Sequence, residues 1–265
     1  MIICEYRDVI AISLQSGSSG NCIYVETDRA RLLFDAGISY AQAARRLAMH
    51  GRDIRNVDAL IISHDHADHV RHAGVYQRRV GMPIYITPLT LNRALTRHSL
   101  GRLNDVNYFF AGGEFTFCDV TVETIPTPHD SADGAIFIVS SEGKHLGIWT
   151  DVGHLFKELF SLMPSLDAVF IESNYDPAML ENGSYPAFLK DRIKGPSGHL
   201  SNAEASELLQ SGGRLQWACL SHLSQNNNSP EIAFQTHREI IGNGLPLYTA
   251  SRHTATGIFS IEKSG

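Results

Sequence analysis

The segment His64-Asp65-His66-Ala67-Asp68-His69 brings three imidazoles and two carboxylates together in six residues. In the His-x-His part, two imidazoles two residues apart can point the same way and bind one metal ion. The adjacent Asp68 and His69 can turn toward a second ion. Because imidazole and carboxylate suit zinc, manganese and iron alike, the segment predicts a metal site without choosing its metal. Asp65, between two ligands, is expected to support them.

Three other segments read as strands that end in a lone histidine or aspartate beside small or turn residues. One such residue is more often structural. Three of them, together with the main motif, favour a shared metal site. They are His129 after 121–125, Asp151 after 147–150, and His222 after 217–221.

The elements that must position these residues form a mixed pattern. Helices are expected after the caps Ser39, Thr87, Ser201 and Ser229, and over 70–80. Strands cluster first and then alternate with helices, which predicts an α/β fold with layered sheets. No Pro- or Ser-rich linker interrupts the sequence, so we expect one domain over 1–265. Strands are expected at 9–14, 22–26, 31–34, 59–63, 120–125, 135–139, 145–150, 168–172 and 217–221.

Bulk composition excludes several classes of protein. Of 265 residues, 43% are hydrophobic and 19% charged, which suits a globular core. The net charge of −6 gives no bulk attraction for nucleic acid and leaves a local basic patch as the route to such binding. No secretion signal or long apolar run is present, so we expect a cytoplasmic protein without membrane association. The sequence carries no signal for oligomeric state. The scattered Cys4, Cys22, Cys118 and Cys219 are expected to be reduced thiols.

The order His-x-His-x-Asp-His, followed by His, Asp and His, resembles the metallo-β-lactamase superfamily. The resemblance implies a four-layer αββα sandwich with a metal site along one edge of its two sheets. It implies two divalent metal ions, zinc or manganese, with iron as a further option. It also implies a ligand set: His64, His66 and His129 for one ion, Asp68, His69 and His222 for the other, and Asp151 bridging.

A narrower resemblance, covering nearly the whole chain, is to the YycJ-like (WalJ-like) branch, whose characterised members are exonucleases acting on DNA. The sequence departs from that branch at 133–136 and at Tyr175, which replaces a common histidine, and both departures imply an altered substrate rim. The piece Gly198–Asn202 is also similar to one in ribonuclease Z. The matching stretches are 17–22, 35–37, 172–176, 198–202, 220–224 and 226–231.

The resemblance implies a dinuclear phosphodiesterase, most simply an exonuclease with DNA ends preferred over RNA as its nucleic-acid substrate. No inserted nucleic-acid-binding subdomain is visible. A hydrolase of small or cyclic phosphodiesters is a second reading, and a non-catalytic metal or redox module is a third. A lactam or thioester hydrolase is a weaker reading.

Two residues are interpreted as catalytic. Asp68 is expected to accept a proton from the attacking water, and His199 to protonate the leaving oxygen or stabilise charge there. His199 precedes the helix capped by Ser201, whose N-terminus is expected to favour phosphate. For His199 the alternative is a loop histidine with a local hydrogen bond. The residues expected to bind substrate are Ser18 and Asn21, which a tight hairpin also explains, Lys194, which a solvated helix face also explains, and Asn202.

Overall fold

Strands make up most of the regular structure around the histidine cluster. The computed structural model describes residues 8–262, and fourteen strands lie within that part of the chain. Their bounds are β1 Val9–Gln15, β2 Cys22–Glu26, β3 Arg31–Phe34, β4 Ala59–Ile61, β5 Ile84–Ile86, β6 Val106–Tyr108, β7 Glu114–Phe117, β8 Val120–Pro126, β9 Ala135–Ser141, β10 Lys144–Trp149, β11 Ala168–Glu172, β12 Trp217–Ser221, β13 Leu247–Thr249 and β14 Phe259–Ile261.

The strands form two mixed sheets of seven. The first has the order β14-β1-β2-β3-β4-β5-β6, and the second has the order β13-β12-β11-β10-β9-β8-β7. Pairing is parallel from β3 to β6 and from β10 to β13. Parallel strands end at the same edge of a sheet, so residues that follow them meet there.

Nine α-helices in the described range, with two short 3-10 helices, flank the sheets. Most begin at a side-chain cap, and Ser39 and Ser201 each form the capping box that the sequence predicts. Their bounds are α1 Tyr40–Ala48, α2 Ala67–Val70, α3 Ala73–Val80, α4 Pro88–Arg97, α5 Lys157–Leu162, α6 Pro177–Asn182, α7 Ala187–Lys194, α8 Asn202–Gln210 and α9 Pro230–Ile241.

Side chains alternate between the two faces of each strand and so build three apolar layers. On β3, Leu32 and Phe34 face the other sheet, while Leu33 faces the helices. Phe34 meets Phe137 of β9 across the sheets, with ring centroids 5.2 Å apart. One outer layer packs α1, α3 and α4 on the first sheet, and the other packs α5, α8 and α9 on the second. The four-layer αββα sandwich is therefore confirmed.

The helix predicted over 70–80 is wrong in its start and its continuity. A first turn, α2, begins at Ala67, and His72 with φ −105° and ψ 0° separates it from α3. Asp68 and His69 therefore lie on a helical turn of their own. The short strands β5, β6, β7, β13 and β14 were not predicted from the sequence.

Two expectations from composition can be compared with residues 8–262. No helix there has the length and apolar character needed to cross a bilayer. Cys22, Cys118 and Cys219 are unpaired, as predicted, and Cys4 lies outside the described residues.

Candidate metal centre and active site

All seven expected metal ligands lie at one edge of the sandwich. His64 follows β4, His129 follows β8, Asp151 follows β10 and His222 follows β12. The strand β8 is antiparallel to β9, which is antiparallel to β10, so β8 and β10 run the same way and end at the same edge. Topology thus brings together residues that are up to 158 positions apart in the sequence.

The donor atoms fall into several overlapping groups that could hold an ion, and two of these groups share no residue with each other. His64, His66 and His129 form one, with Nδ1 of His66 and Nε2 of His129 3.3 Å apart. Asp68, His69 and His222 form the other, and Asp68 Oδ2 lies 3.4 Å from Nε2 of His222 and 3.5 Å from Nε2 of His69. The grouping has the same membership as the ligand sets implied by the resemblance.

Asp151 lies between the two groups. Its Oδ2 is 3.0 Å from Nε2 of His69, and its Oδ1 is 3.6 Å from Nε2 of His129. The same Oδ1 is 3.3 Å from Nδ1 of His222. A carboxylate with one oxygen toward a member of each group has the placement that a bridging ligand needs.

Three residues that follow strands have a positive φ, a left-handed backbone conformation that residues other than glycine rarely adopt. Asp35, Asp151 and His222 have φ of 66°, 57° and 55°. Each such residue costs on the order of 1–3 kcal/mol and persists only where its surroundings hold it. Here the turn directs the side chain back over the sheet edge, and strain is concentrated at the metal centre.

Hydrogen bonds to Nδ1 orient three of the histidines. Nδ1 of His69 donates to Oδ2 of Asp35 at 2.7 Å, and Nδ1 of His129 donates to the carbonyl of Gly198 at 2.8 Å. Nδ1 of His64 contacts the hydroxyl of Ser63 at 2.9 Å, and that hydroxyl donates to Asp35. Each ring therefore presents Nε2 to the centre, as is usual for metal-bound imidazole.

The donor set fits divalent cations. Nε2 of His64 is buried and has no hydrogen-bond partner among residues 8–262, which is costly unless another group completes it. Oδ2 of Asp151 is also buried, and its 3.0 Å contact with Nε2 of His69 lacks the geometry of a hydrogen bond. Burial and the neighbouring His69 lower the pKa of His64 well below its usual value, so its ring is the neutral form that binds metal. Burial alone would raise the pKa of Asp151, but His222 and His69 outweigh it and hold the pKa well below its usual range.

A second ionisable pair lies beside this centre. Nδ1 of His199 donates to Oε1 of Glu172 at 2.6 Å, and no hydrogen bond in the described chain engages its Nε2. Glu172 is fully buried and also accepts from the backbone N–H groups of Val152 and Leu200. Burial raises its pKa, but the contact with His199 outweighs this and lowers the pKa to about 2, so Glu172 is a carboxylate.

The sequence reasoning did not assign a role to Glu172. It ends β11, between β10 and β12, whose ends carry Asp151 and His222. A single acidic residue closing the apolar segment 168–171 was the signal that could have found it. Asp35 gives the same signal after β3.

Comparison with known proteins agrees with this arrangement. A family model described as the beta-lactamase superfamily domain matches residues 30–222. The chain belongs to the metallo-β-lactamase superfamily.

Similar proteins include members of the YycJ-like branch, so that resemblance is confirmed. Exodeoxyribonuclease WalJ of Streptococcus pneumoniae (strain D39) is 32% identical over 259 residues, which are 94% of this chain and 96% of that protein. Exodeoxyribonuclease YycJ of Bacillus anthracis is 31% identical over 232 residues, 86% of this chain and 87% of that protein. The crystal structure of the metallo-beta-lactamase fold protein YhfI from Bacillus subtilis shares the fold, with a TM-score of 0.72, 14% identity, and coverage of 96% of this chain and 100% of that chain.

Within this metallo-β-lactamase fold, Asp65 points away from the metal centre. Its Oδ2 accepts from Arg97 at 2.9 Å, and its Oδ1 accepts from the N–H of Ala132 at 2.8 Å. Asp65 is fully buried and ties the loop that carries His64 and His66 to its neighbours. Asp65 contacts no ligand side chain among the described residues, so direct support of the ligands stays a prediction.

Asn21 contacts ligands and lies below the surface. Its Nδ2 is 3.2 Å from Oδ2 of Asp68 and 2.9 Å from Nε2 of His69, and its side chain is buried in the β1–β2 hairpin. Asn21 therefore positions the metallo-β-lactamase ligands. Ser18, in the same loop, is exposed, and its contact with substrate stays a prediction.

Asn202 and Lys194 are the other two residues that the sequence predicts to bind substrate. Asn202 is 0% exposed, and its amide is bonded to Ser173 and Asn228, so it holds loops together behind the centre. We therefore replace the assignment of Asn202 with this structural role. Nζ of Lys194 is 3.3 Å from Oε2 of Glu181 and 3.9 Å from Oδ1 of Asp191, both exposed, and contact of Lys194 with substrate stays a prediction.

Arg192, two residues before Lys194, is the basic residue of α7 that reaches the site. Its Nε donates to Oδ2 of Asp130 at 2.6 Å. The other oxygen of Asp130 lies 3.6 Å from Nε2 of both His66 and His129. The guanidinium therefore lies at the rim of the metal centre.

The expectation that the N-terminus of α8 is open to phosphate is wrong. The hydroxyl of Ser201 accepts the N–H of Glu204, and the N–H of Asn202 donates to the carbonyl of Tyr175. The carboxylate of Glu204 accepts the N–H of Ser201 and places negative charge at this end. Tyr175 is 6% exposed, so its departure from the branch affects packing at this helix start instead of the substrate rim.

Proposed function

We propose that this chain is a dinuclear, metal-dependent phosphodiesterase that acts as an exonuclease on DNA ends. The observation that carries the proposal is the convergence of two three-residue donor groups on Asp151, in a chain whose relatives at 31–32% identity are named exodeoxyribonucleases. The alternative function, hydrolysis of small or cyclic phosphodiesters, is tested by the same substrate panel. A cytoplasmic location remains the expectation from the sequence.

We assign His64, His66 and His129 to one divalent cation, and Asp68, His69 and His222 to the other, with Asp151 shared. Zinc or manganese suits these nitrogen and oxygen donors, and iron is a further option. Bound cations of this kind supply Lewis acidity to phosphate oxygens and to water. Asp35, Ser63 and the carbonyl of Gly198 keep the imidazoles turned for that purpose.

Asp68 and His199 are the residues we assign to proton movement. Oδ1 of Asp68 has no hydrogen bond in the described chain, while Oδ2 is held by Asn21, so Oδ1 is free to accept a proton from water. Nδ1 of His199 is occupied by Glu172, so Nε2 is the atom that would protonate the leaving oxygen. The side chain of His199 is 20% exposed, which lets substrate reach it.

Arg192 and Ser18 are the residues we propose to hold the nucleic acid at the rim. Arg192 is fixed through Asp130, and its guanidinium remains 57% exposed, so its other N–H groups can donate to a phosphate oxygen. Ser18 is exposed in the hairpin loop that also carries Asn21. With a net charge of −6, such local contacts must supply the attraction, and binding is expected to weaken with salt.

A substrate panel with metal-loaded protein tests this function. We expect cleavage of linear DNA and of bis(p-nitrophenyl) phosphate, slower cleavage of RNA, and little action on closed circles or β-lactams. Chelation should remove about two metal equivalents per chain and abolish the activity at the same time. Rapid turnover of cyclic dinucleotides with no attack on linear strands would favour the small-substrate alternative. Full activity after exhaustive chelation would refute the metal-dependent mechanism.

A further inference from the structure

A second polar cavity opens next to the metal centre, with a volume of about 460 Å³. Its cationic lining comes from three separate parts of the chain. The other lining residues are glutamines, a serine, a glycine and an isoleucine, and no carboxylate lines it. We call it the arginine pocket, defined by Arg45, Arg46, Arg71, Arg252, His72 and His253.

None of the four arginines forms an ion pair within residues 8–262. Three are held by neutral groups. Arg46 donates to the carbonyl of Leu14 at 2.9 Å and to that of His253 at 2.6 Å, and it also contacts Gln15. Arg252 donates to the carbonyl of Leu223 at 2.9 Å. These acceptors fix the guanidinium groups and leave their positive charge uncompensated.

Arg71 and Arg45 complete the set. Nε of Arg71 donates to the carbonyl of Gly37 at 3.0 Å, and its Nη2 donates to the carbonyl of Ser19. Arg45, on α1, is exposed, and its side chain makes no hydrogen bond or ion pair in the described chain. An acidic protein that keeps four such charges together, without a carboxylate beside them, has a concave surface suited to an anion.

Two features show that the pocket lacks a partner. Nη1 of Arg252 is buried and has no hydrogen-bond acceptor in this part of the chain. Arg46 is 4% exposed, so its charge is largely removed from water without a counter-ion. Burial, and then the charge of Arg45, lower the pKa of Arg46, which is the effect expected when like charges are confined together.

The arginine pocket adjoins the metal centre through shared backbone. Arg71 follows the ligand His69 by two residues, and Arg252 is bonded to the residue after the ligand His222. The hairpin loop separates the two: the N–H of Asn21 donates to the carbonyl of Asp68, and Ser19 lines the pocket. The pocket and the metal centre therefore lie on the two sides of this loop and share the backbone that follows two of the ligands.

We propose that the arginine pocket binds the terminal phosphomonoester of a DNA strand and so selects strand ends. This inference rests on the proposed nuclease function. A terminal phosphomonoester carries about two negative charges at neutral pH, whereas an internal phosphodiester carries one. A planar guanidinium group can donate two parallel hydrogen bonds to two oxygens of one phosphate. Four arginines together therefore suit the doubly charged terminal phosphate better than the singly charged phosphodiesters of the DNA backbone.

Arg45→Gln is the most direct test because Arg45 is exposed and supports no other residue. We measure kcat/KM of metal-loaded protein on strands that differ only in a 5′-phosphate, a 3′-phosphate or hydroxyl ends. Wild type is expected to prefer one phosphorylated end, and Arg45→Gln to lose roughly 10-fold on that strand, the span of one charge-assisted contact. Its rates on hydroxyl-ended strands and on bis(p-nitrophenyl) phosphate should not change.

Arg79→Gln, an exposed arginine of α3 outside the pocket, is the matched control because it removes the same charge. It should keep the preference for the phosphorylated end. Equal rates on all ends in wild type, or equal behaviour of the two variants, would overturn the proposal.

Binding of the same labelled strands in excess chelator, with inorganic phosphate as competitor, separates the two hypotheses. If metal-loaded protein cuts no strand, but the phosphorylated strand still binds more tightly in chelator and only Arg45→Gln abolishes that difference, the nuclease assignment fails and the pocket stands. If strands are cut and bound without regard to their ends, the pocket fails and the nuclease stands.

Discussion

Replacing Glu172 with glutamine tests how the chain holds its proposed proton donor. The shape of the side chain is kept, but one acceptor oxygen becomes an NH₂ group. Oε2 accepts from the N–H groups of Val152 and Leu200, so the amide oxygen must take that position. The NH₂ group then faces Nδ1 of His199, which can no longer donate to it.

The expected loss follows from this one contact. A hydrogen bond to a charged group contributes about 1.5–3 kcal/mol. If that energy is lost from the protonated form of His199 that donates in the transition state, kcat on DNA should fall roughly 10- to 160-fold. The backbone hydrogen bonds to the side chain remain, so we expect the fold to be unaffected. Oε1 also lies 3.5 Å from Nδ1 of the ligand His222, so metal content must be measured in the same variant.

The assay compares two leaving groups. Kinetics on DNA report a poor leaving group that needs a proton, whereas p-nitrophenolate leaves without one. Glu172→Gln should therefore slow DNA cleavage while nearly sparing bis(p-nitrophenyl) phosphate, with metal content unchanged. Glu207→Gln, an exposed position on the same α8, is the control and should match wild type.

Two results would refute the reasoning. Equal losses on both substrates with metal retained would mean that His199 does not protonate the leaving oxygen. Loss of metal would make Glu172 a ligand, since it lies in a four-residue group with Asp151, His199 and His222 that could also hold an ion.

Three further predictions follow from the same contacts. His222→Ala should lower metal content and activity together, whereas His199→Ala should lower kcat roughly 10²–10⁴-fold with metal retained, and loss of metal in the second variant would contradict its role. Asp35→Asn should weaken metal affinity roughly 10–100-fold in competition with a chromophoric chelator, and unchanged affinity would count against orientation of His69 by Asp35. Burial, and then Arg238, lower the pKa of His237 to about 3 in the folded chain. The unfolded pKa is about 6.5, so between these two values only the unfolded chain takes up the proton. The stability that is present above about pH 6.5 is therefore lost as the pH falls. In chelator, urea unfolding of wild type should lose about 2 kcal/mol more than His237→Gln between about pH 7.5 and about pH 5, and equal losses would contradict this.

The sequence could predict the strands that build the site because these strands are buried on both faces. The segments at 22–26, 31–34, 168–172 and 217–221 have the predicted bounds, since continuous apolar runs bounded by polar residues mark both ends of a strand. The edge strands β6, β7, β13 and β14 and the interior strand β5 have only three or four residues each, so their hydrophobic pattern is too short to read. Pairing with a neighbour, which is a tertiary property, is what makes them strands.

Substrate-binding residues were harder to predict because a sequence motif does not reveal how deeply its side chains are buried. Asn202 follows His199 by three residues, but the capped start of α8 turns its amide inward to Asn228. Lys194 shares a helix with Arg192, yet only Arg192 meets an acid of the site, Asp130. Burial and pairing depend on loops distant in sequence, so residue type and spacing could not distinguish these neighbours.

The supporting carboxylates were within reach of the same reasoning that found the ligands. Adjacent parallel strands end at one edge, so every polar residue that ends a buried strand there must either line the site or be paired beneath it. Asp35 and Glu172 both satisfy this rule, and each proves to hold the Nδ1 of a histidine. By residue type and spacing only the histidines and Asp151 resemble ligands, so the motif does not single out Asp35 or Glu172. A carboxylate that orients an imidazole has the same position in the topology as one that binds metal, and only the hydrogen-bond geometry separates the two.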